Sequence, residues 1–266
     1  MSYTLTTLYS GSGGNSTLIS SGDTSILIDA GKSARTLCAA LRNVGSDIKN
    51  INAIFITHEH CDHISALETL AKNYEIPIHM TEASARKFDR HPDSPVHARL
   101  VRHETAFCEN IGDMRVTSFK TPHDSAMSVG YRIEFPSADG TCALGVATDI
   151  GYITKGIAKG LMGCEAVVLE ANHDEQMLED GPYPYYLKLR IRSNKGHLSN
   201  GASADFAAEL AKNGTKSFIL AHLSKENNLP ELAFDAVHSA VSDPSVRICV
   251  AAADEPTELC LREALV

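Results

Sequence analysis

The chain has 266 residues, 43 % of them hydrophobic, and a formal charge of −9. That acidic balance excludes a protein that coats nucleic acid through its overall field, so a nucleic-acid substrate would need a local basic patch and bound metals. No apolar run reaches the roughly 18 residues of a membrane helix, so no membrane partner is expected.

The length fits one domain over residues 1–266, built as two packed sheets with outer helices. The opening Met-Ser-Tyr-Thr-Leu-Thr-Thr has neither the basic nor the apolar region of a signal peptide. The seven cysteines (Cys38, Cys61, Cys108, Cys142, Cys164, Cys249 and Cys260) are scattered and form no Cys-x-x-Cys pair. Both features fit a cytoplasmic protein with reduced thiols.

Residues 3–9 read as a first strand. The segment Ser10-Gly11-Ser12-Gly13-Gly14-Asn15-Ser16 lacks the Gly-Lys-Ser/Thr ending of a P-loop and leads into another strand, Thr17 to Ser20. It is either a bare tight turn or a loop, with Ser12, Gly13 and Asn15, whose backbone approaches a substrate phosphate. Residues 25–30 form a buried strand around Asp29, a carboxylate that needs partners. Ser33 is the expected N-cap of a helix over 34–43. The apolar run Ile51 to Ile56 reads as a buried strand.

That run ends in Thr57-His58-Glu59-His60-Cys61-Asp62-His63. On extended chain His58 and His60 share a side, and the turn into the next helix brings Asp62 and His63 round. Imidazole and carboxylate are ligands for zinc, manganese and iron. Four such groups at one strand exit can serve two adjacent metals. Cys61, between two of them, is expected to face away.

A helix is expected from Ile64 to Ala71, a strand at Ile76–Met80, and a Thr81-capped helix near 82–89. His79, His91, His97 and His103 have no ligand-type neighbour in sequence and read as surface or structural. Val116 to Lys120 is a strand exiting at His123. Ser128 to Glu134 and Cys142 to Thr148 are further strands, the second exiting at Asp149. Glu165 to Glu170 is another, followed by a helix near 175–179.

The stretch 188–195 carries Lys188, Arg190, Arg192 and Lys195 with no acid among them. It is a solvated helix face or a rim that tracks phosphates, with Tyr183, Tyr185 and Tyr186 as stacking surfaces. A helix is expected near 200–212. The strand Ser217 to Ala221 exits at His222, which favours His222 as a ligand and leaves His197 as a nearby non-ligand. A helix at 229–242 and a final strand, Val246 to Ala251, complete the chain.

Several motifs together resemble the YycJ/WalJ family of the metallo-β-lactamase superfamily, relatives of ribonucleases Z and J. They are Thr-His-Glu-His-Cys-Asp-His, the Asp29-Ala-Gly turn, Thr121-Pro-His-Asp, Thr148-Asp-Ile-Gly-Tyr and Glu170-Ala-Asn-His-Asp. Gly196-His-Leu-Ser-Asn and His222-Leu-Ser-Lys-Glu-Asn-Asn complete the set.

The resemblance implies an α/β fold, a four-layer αββα sandwich, and two divalent metals, zinc or manganese with iron as an option. It implies His58, His60 and His123 on one metal, Asp62, His63 and His222 on the other, and Asp149 bridging. Asp29 and Glu170 would support these ligands from behind. Ala66 departs from the glycine common in relatives, which should alter packing and not ligation.

The implied activity is a nuclease, a 5′-to-3′ exonuclease acting on a DNA end or on a small phosphodiester. A metal-bridging hydroxide would attack phosphorus, Asp62 would serve the reacting centre, and His197 would donate a proton to the leaving oxygen. The alternative is a hydrolase of a small thioester or lactone, which the −9 charge favours.

Overall fold

The computed structural model describes residues 3–137 and 140–261. Strands β1 (Tyr3–Tyr9), β2 (Ser16–Ser21), β3 (Thr24–Ile28), β4 (Ala53–Phe55), β5 (Ile78–Thr81) and β6 (Leu100–His103) belong to one sheet. Strands β7 (Cys108–Ile111), β8 (Met114–Lys120), β9 (Val129–Ser137), β10 (Gly140–Ala147), β11 (Ala166–Glu170), β12 (Ser217–Ala221) and β13 (Arg247–Val250) form the other. A last strand, β14 (Thr257–Cys260), returns to the first sheet and pairs antiparallel with β1. The orders are β14-β1-β2-β3-β4-β5-β6 and β13-β12-β11-β10-β9-β8-β7.

Three apolar interfaces make four layers. Ile19, Ile26, Phe55, Ile133, Val168 and Ile219 pack between the two sheets. Outside sheet one, Leu27, Ile54 and Ile78 meet helix α1 (Ala34–Asn43) through Leu37 and Leu41. Outside sheet two, Val167, Leu169 and Phe218 meet residues such as Leu161, Phe206, Leu210 and Val237. These come from α5 (Lys155–Leu161), α8 (Asn200–Lys212) and α9 (Pro230–Ala240). Strand β3 runs parallel to β4, and β10, β11 and β12 run parallel to one another; these strands are apolar on both faces, as doubly covered strands must be. The architecture is the αββα sandwich.

Most local expectations hold. Ser33 caps α1 by accepting from Thr36 N–H at 3.1 Å, and Leu67 and Leu70 are buried as anticipated. Three details differ. The helix expected from Ile64 to Ala71 is two pieces, α2 (Cys61–Ile64) and α3 (Leu67–Asn73), because the chain bends at Ser65–Ala66 to bring His63 inward. The helix near 82–89 is one turn, α4 (Glu82–Ala85), followed by a 3-10 turn at Phe88–Arg90. The strand at the end of the expected series is not the last. Thr-Glu-Leu-Cys has no long apolar run, and its strand character comes from the edge that β1 offers it.

Candidate active site

The first half of the site comes from sheet one. Beyond β4 the chain continues through Ile56 and Thr57 into His58, which is fully buried. Asp29, just past β3, adopts φ +65° and places its carboxylate under this exit. It accepts Thr57 N–H at 2.8 Å, Thr57 Oγ1–H at 2.9 Å and His63 Nδ1–H at 2.7 Å. With its proton spent on Asp29, the Thr57 hydroxyl accepts from His58 Nδ1 at 3.0 Å. Both rings are thereby locked with Nε2 as the remaining donor atom. Gly31 permits this packing: a Cβ there would lie 2.0 Å from Asp62 O. Glu59, between His58 and His60, turns away and accepts from Ser84 Oγ at 2.6 Å and Ala126 N–H at 2.8 Å.

The second half comes from four strand exits of sheet two. His123 follows β8 and donates from Nδ1 to Gly196 O at 3.2 Å. Asp149 follows β10 at φ +57°, and His222 follows β12 at φ +58°. Left-handed backbone is uncommon outside glycine, and here it coincides with the residues aimed into the site. Glu170 ends β11 and is fully buried. Its Oε2 accepts Ile150 N–H at 2.7 Å and Leu198 N–H at 3.2 Å. Its Oε1 accepts His197 Nδ1–H at 2.8 Å and His222 Nδ1–H at 2.9 Å.

The two halves converge on Asp149. Its Oδ2 lies 3.4 Å from His63 Nε2, and its Oδ1 lies 3.6 Å from both His123 Nε2 and His222 Nδ1. Asp62 Oδ2 is 3.3 Å from His63 Nε2 and 3.7 Å from His222 Nε2. Donor atoms of His58, His60 and His123 lie within 4.8 Å of one another, as do those of Asp62, His63 and His222 and those of His58, His63 and Asp149.

The chemistry of this set fits divalent metal. His58 Nε2, Asp149 Oδ2 and His222 Nε2 are buried with no hydrogen-bond partner, a situation that costs about 1–3 kcal/mol per group unless something else is coordinated. Burial, aided by the His63 ring, holds His58 well below the ordinary histidine range, so it offers a neutral imidazole. Burial works in the same direction on His222, but the carboxylates of Asp149, Asp62 and Glu170 outweigh it and raise the ring to about 10. The field that holds a proton there is the field that attracts a cation.

The anticipated substrate contacts fare differently. Ser12 and Gly13 are exposed at the loop tip. Ser12 borders a pocket of about 220 Å³ shared with His197 and His222. Asn15 is buried and turned inward, its Nδ2 3.3 Å from Asp62 Oδ2 and 3.2 Å from His63 Nε2. It also clasps the loop through Gly11 N–H at 2.9 Å, so it positions the metal-side residues.

The 188–195 stretch is mostly helix α7 (Tyr185–Arg192), and acids from elsewhere meet it. Arg190 donates from Nε to Asp124 at 2.6 Å, Arg192 pairs with Glu179, and Lys188 donates to the Glu179 carbonyl. Only Lys195 of the four keeps an unengaged cation among the described residues.

One other expectation changes. His79 and His103 are neighbours, Nδ1 to Nε2 at 3.0 Å with nearly parallel rings, because β5 and β6 pair parallel and place His103 opposite Thr81, two residues along from His79. Cys61 is exposed on α2, as anticipated. Cys38, Cys61, Cys108, Cys142, Cys164 and Cys249 form no disulfide; the side chain of Cys260 lies outside the described set. Thr57 and Glu59 escaped the sequence reading. A hydroxyl closing an apolar strand before a ligand cluster was the available signal for Thr57; for Glu59 only the alternation of the strand was.

Fold and donor set together define a metal-dependent hydrolase of the metallo-β-lactamase class. A family model described as a beta-lactamase superfamily domain matches residues 24–223. The exodeoxyribonuclease YycJ of Bacillus anthracis is 32 % identical over 237 residues, 89 % of this chain and 88 % of that one. The exodeoxyribonuclease WalJ of Streptococcus pneumoniae serotype 2 is 34 % identical over 228 residues, 85 % and 83 % of the two chains. Among solved structures, the metallo-beta-lactamase fold protein YhfI from Bacillus subtilis superposes with a TM-score of 0.71 at 18 % identity, covering 97 % of this chain and all of that one. The chain belongs to the metallo-β-lactamase superfamily and, within it, to the YycJ/WalJ family. No helix of the described residues is long and apolar enough to cross a membrane.

Proposed function

We propose that this chain is a dinuclear phosphodiesterase, a 5′-to-3′ exonuclease on DNA, folded as one domain over residues 1–266. The observation that carries the reading is the paired donor set. His58, His60 and His123 would hold one divalent ion, Asp62, His63 and His222 the other, with Asp149 reaching both. Zinc and manganese suit this mixture of imidazole and carboxylate, with iron as an option. Bound there, the ions supply Lewis acidity toward phosphoryl oxygens and a nucleophile at neutral pH.

The chain's own residues do the rest. Asp29 and Glu170 fix the tautomers of the rings they hold. His197 is half-buried, its ring 5.2 Å from the rings of His123 and His222. Burial disfavours its protonated form, but the Glu170 carboxylate more than compensates and raises its proton affinity. With Nδ1 held by Glu170, Nε2 is the nitrogen that gives a proton to the leaving oxygen. The family names of the relatives support the nucleic-acid substrate.

The deciding experiment is digestion of end-labelled single-stranded DNA and RNA with manganese or zinc, beside an Asp62→Ala control. Mononucleotides released from a 5′-phosphorylated DNA end, absent in the control, are expected. Failure to cleave either polymer with metal bound would shift the reading to a small thioester or lactone hydrolase, which the neutralised α7 cations favour.

A further inference from the structure

Two clefts flank the exposed Tyr152 beside the metal site, and their charges are opposite. One, of about 460 Å³, is lined by Glu175, Asp205 and Glu209, and its one arginine, Arg192, is already paired with Glu179. The other, of about 600 Å³, runs from His123 along Lys120, Ser125, Tyr152, Asn194 and Lys195, with no carboxylate in its lining. Both lysines are exposed, and neither ammonium group has an ion pair or hydrogen bond among the described residues.

The turn that carries Asn194 and Lys195 into the second cleft is held by close packing. A Cβ on Gly151 would lie 2.3 Å from Asn194 C and O and 2.7 Å from Lys195 N. The turn carrying Lys195 therefore rests directly on the loop that carries Asp149. The same turn presents Gly196 O to His123 Nδ1 at 3.2 Å. A Cβ at Gly196 would in turn meet Ile191 O at 2.0 Å, so the turn has one available path. Lys195 is thus anchored to ligand residues on two sides. Lys120 ends β8, the strand that delivers His123. In a chain of charge −9, a polyanion finds here two uncompensated cations, an aromatic face and a fixed distance to the metal site.

We propose that the retained strand of a nucleic-acid substrate lies in this cleft. Lys120 and Lys195 meet consecutive backbone phosphates, and Tyr152 stacks on a base. The proposal rests on the nuclease reading and displaces α7 as the phosphate-tracking surface. Stacking of this kind tolerates any base, which suits an enzyme that advances along a strand.

The test compares a 5′-phosphorylated 20-nucleotide single-stranded DNA with bis(p-nitrophenyl) phosphate, a diester too short to reach the cleft. For Lys120→Ala/Lys195→Ala, the ratio of kcat/KM on the oligonucleotide to that on the small ester should fall by about tenfold or more, chiefly through KM. The slope of log kcat/KM against log salt should flatten by about 1.4, two phosphates at ~0.7 each for a single strand. Tyr152→Ala should raise the oligonucleotide KM about tenfold, and Tyr152→Phe should restore it, because the ring and not the hydroxyl stacks. A wild-type protein that hydrolyses the small ester and no oligonucleotide defeats the nuclease reading, and this proposal with it. A wild-type nuclease whose lysine variants keep the same ratio and salt slope overturns the cleft alone.

Discussion

The two sheets contribute to the site in different ways. Sheet one supplies His58, His60, Asp62 and His63 from one continuous turn, braced from below by a single carboxylate, Asp29. Sheet two supplies His123, Asp149 and His222 from three separate exits, plus His197 from a connecting segment, and Glu170 braces the last two. The first half is a local object, which the strand β4 and its turn nearly determine. The second is a product of topology: its members are adjacent only because β8, β10, β11 and β12 end at the same edge. Asp149 is where the halves meet, and its loss should have the largest effect. Asp149→Ala is expected to lower metal content in both halves and activity by about 10³-fold or more, since metal stabilisation of the transition state is worth several kcal/mol. Metal analysis beside an activity assay checks this; retention of both ions would make the halves independent sites.

His197 lies outside the set around Asp62, though it has a ligand atom within 4.8 Å of those of Asp149, Glu170 and His222, and its Nδ1 is held by Glu170. His197→Ala should bind metal normally and lose turnover by about 10²–10⁴-fold, the usual worth of a positioned acid. Loss of metal in that variant would make His197 a ligand and erase the asymmetry between the halves.

The two bracing carboxylates give a finer comparison. Asp29→Asn and Glu170→Gln should each cost about 10–100-fold in metal affinity or activity. Asp29 holds the proposed ligand His63 and, through Thr57, His58, and touches no group proposed to move a proton, so activity per bound metal should survive its replacement. Glu170 holds His222 and His197 together, so its replacement should lower activity per bound metal as well. Metal titration followed by turnover at saturating metal separates the two outcomes. Equal behaviour in both variants would mean that His197 has no separate part in the reaction.

This asymmetry also explains what the sequence made legible. The first half could be read from residue spacing, since His58 to His63 fall within one strand exit and one turn. Two packed sheets with outer helices followed from chain length, and the four-layer αββα order from the resemblance. His123, Asp149 and Glu170 carried no local mark beyond a polar residue ending a strand, and it was resemblance that joined them. The partners of the α7 cations were not legible, because nothing in 188–195 announces Asp124 or Glu179, which arrive through tertiary folding. Strand β14 was missed for the same reason: its identity lies in the partner edge of β1.

The smallest effect tests whether the first half is as local as it looks. Ala66 is fully buried at the bend between α2 and α3, and its N–H donates to Ala30 O at 2.9 Å, tying the ligand turn to the Asp29 turn. Its φ of −80° and ψ of −21° are ordinary helical values, so nothing in the backbone here requires glycine. Ala66→Gly should destabilise by about 0.5–1 kcal/mol through the entropy of the unfolded chain and a lost methyl contact. In a chain of this size that lowers Tm by about 1–4 °C. Metal affinity should not move, because the Ala30 bond is made by backbone and survives the change. A drop in metal affinity without a drop in Tm would mean that the methyl group itself shapes the ligand turn, and that the local half depends on side-chain packing behind it as much as on Asp29.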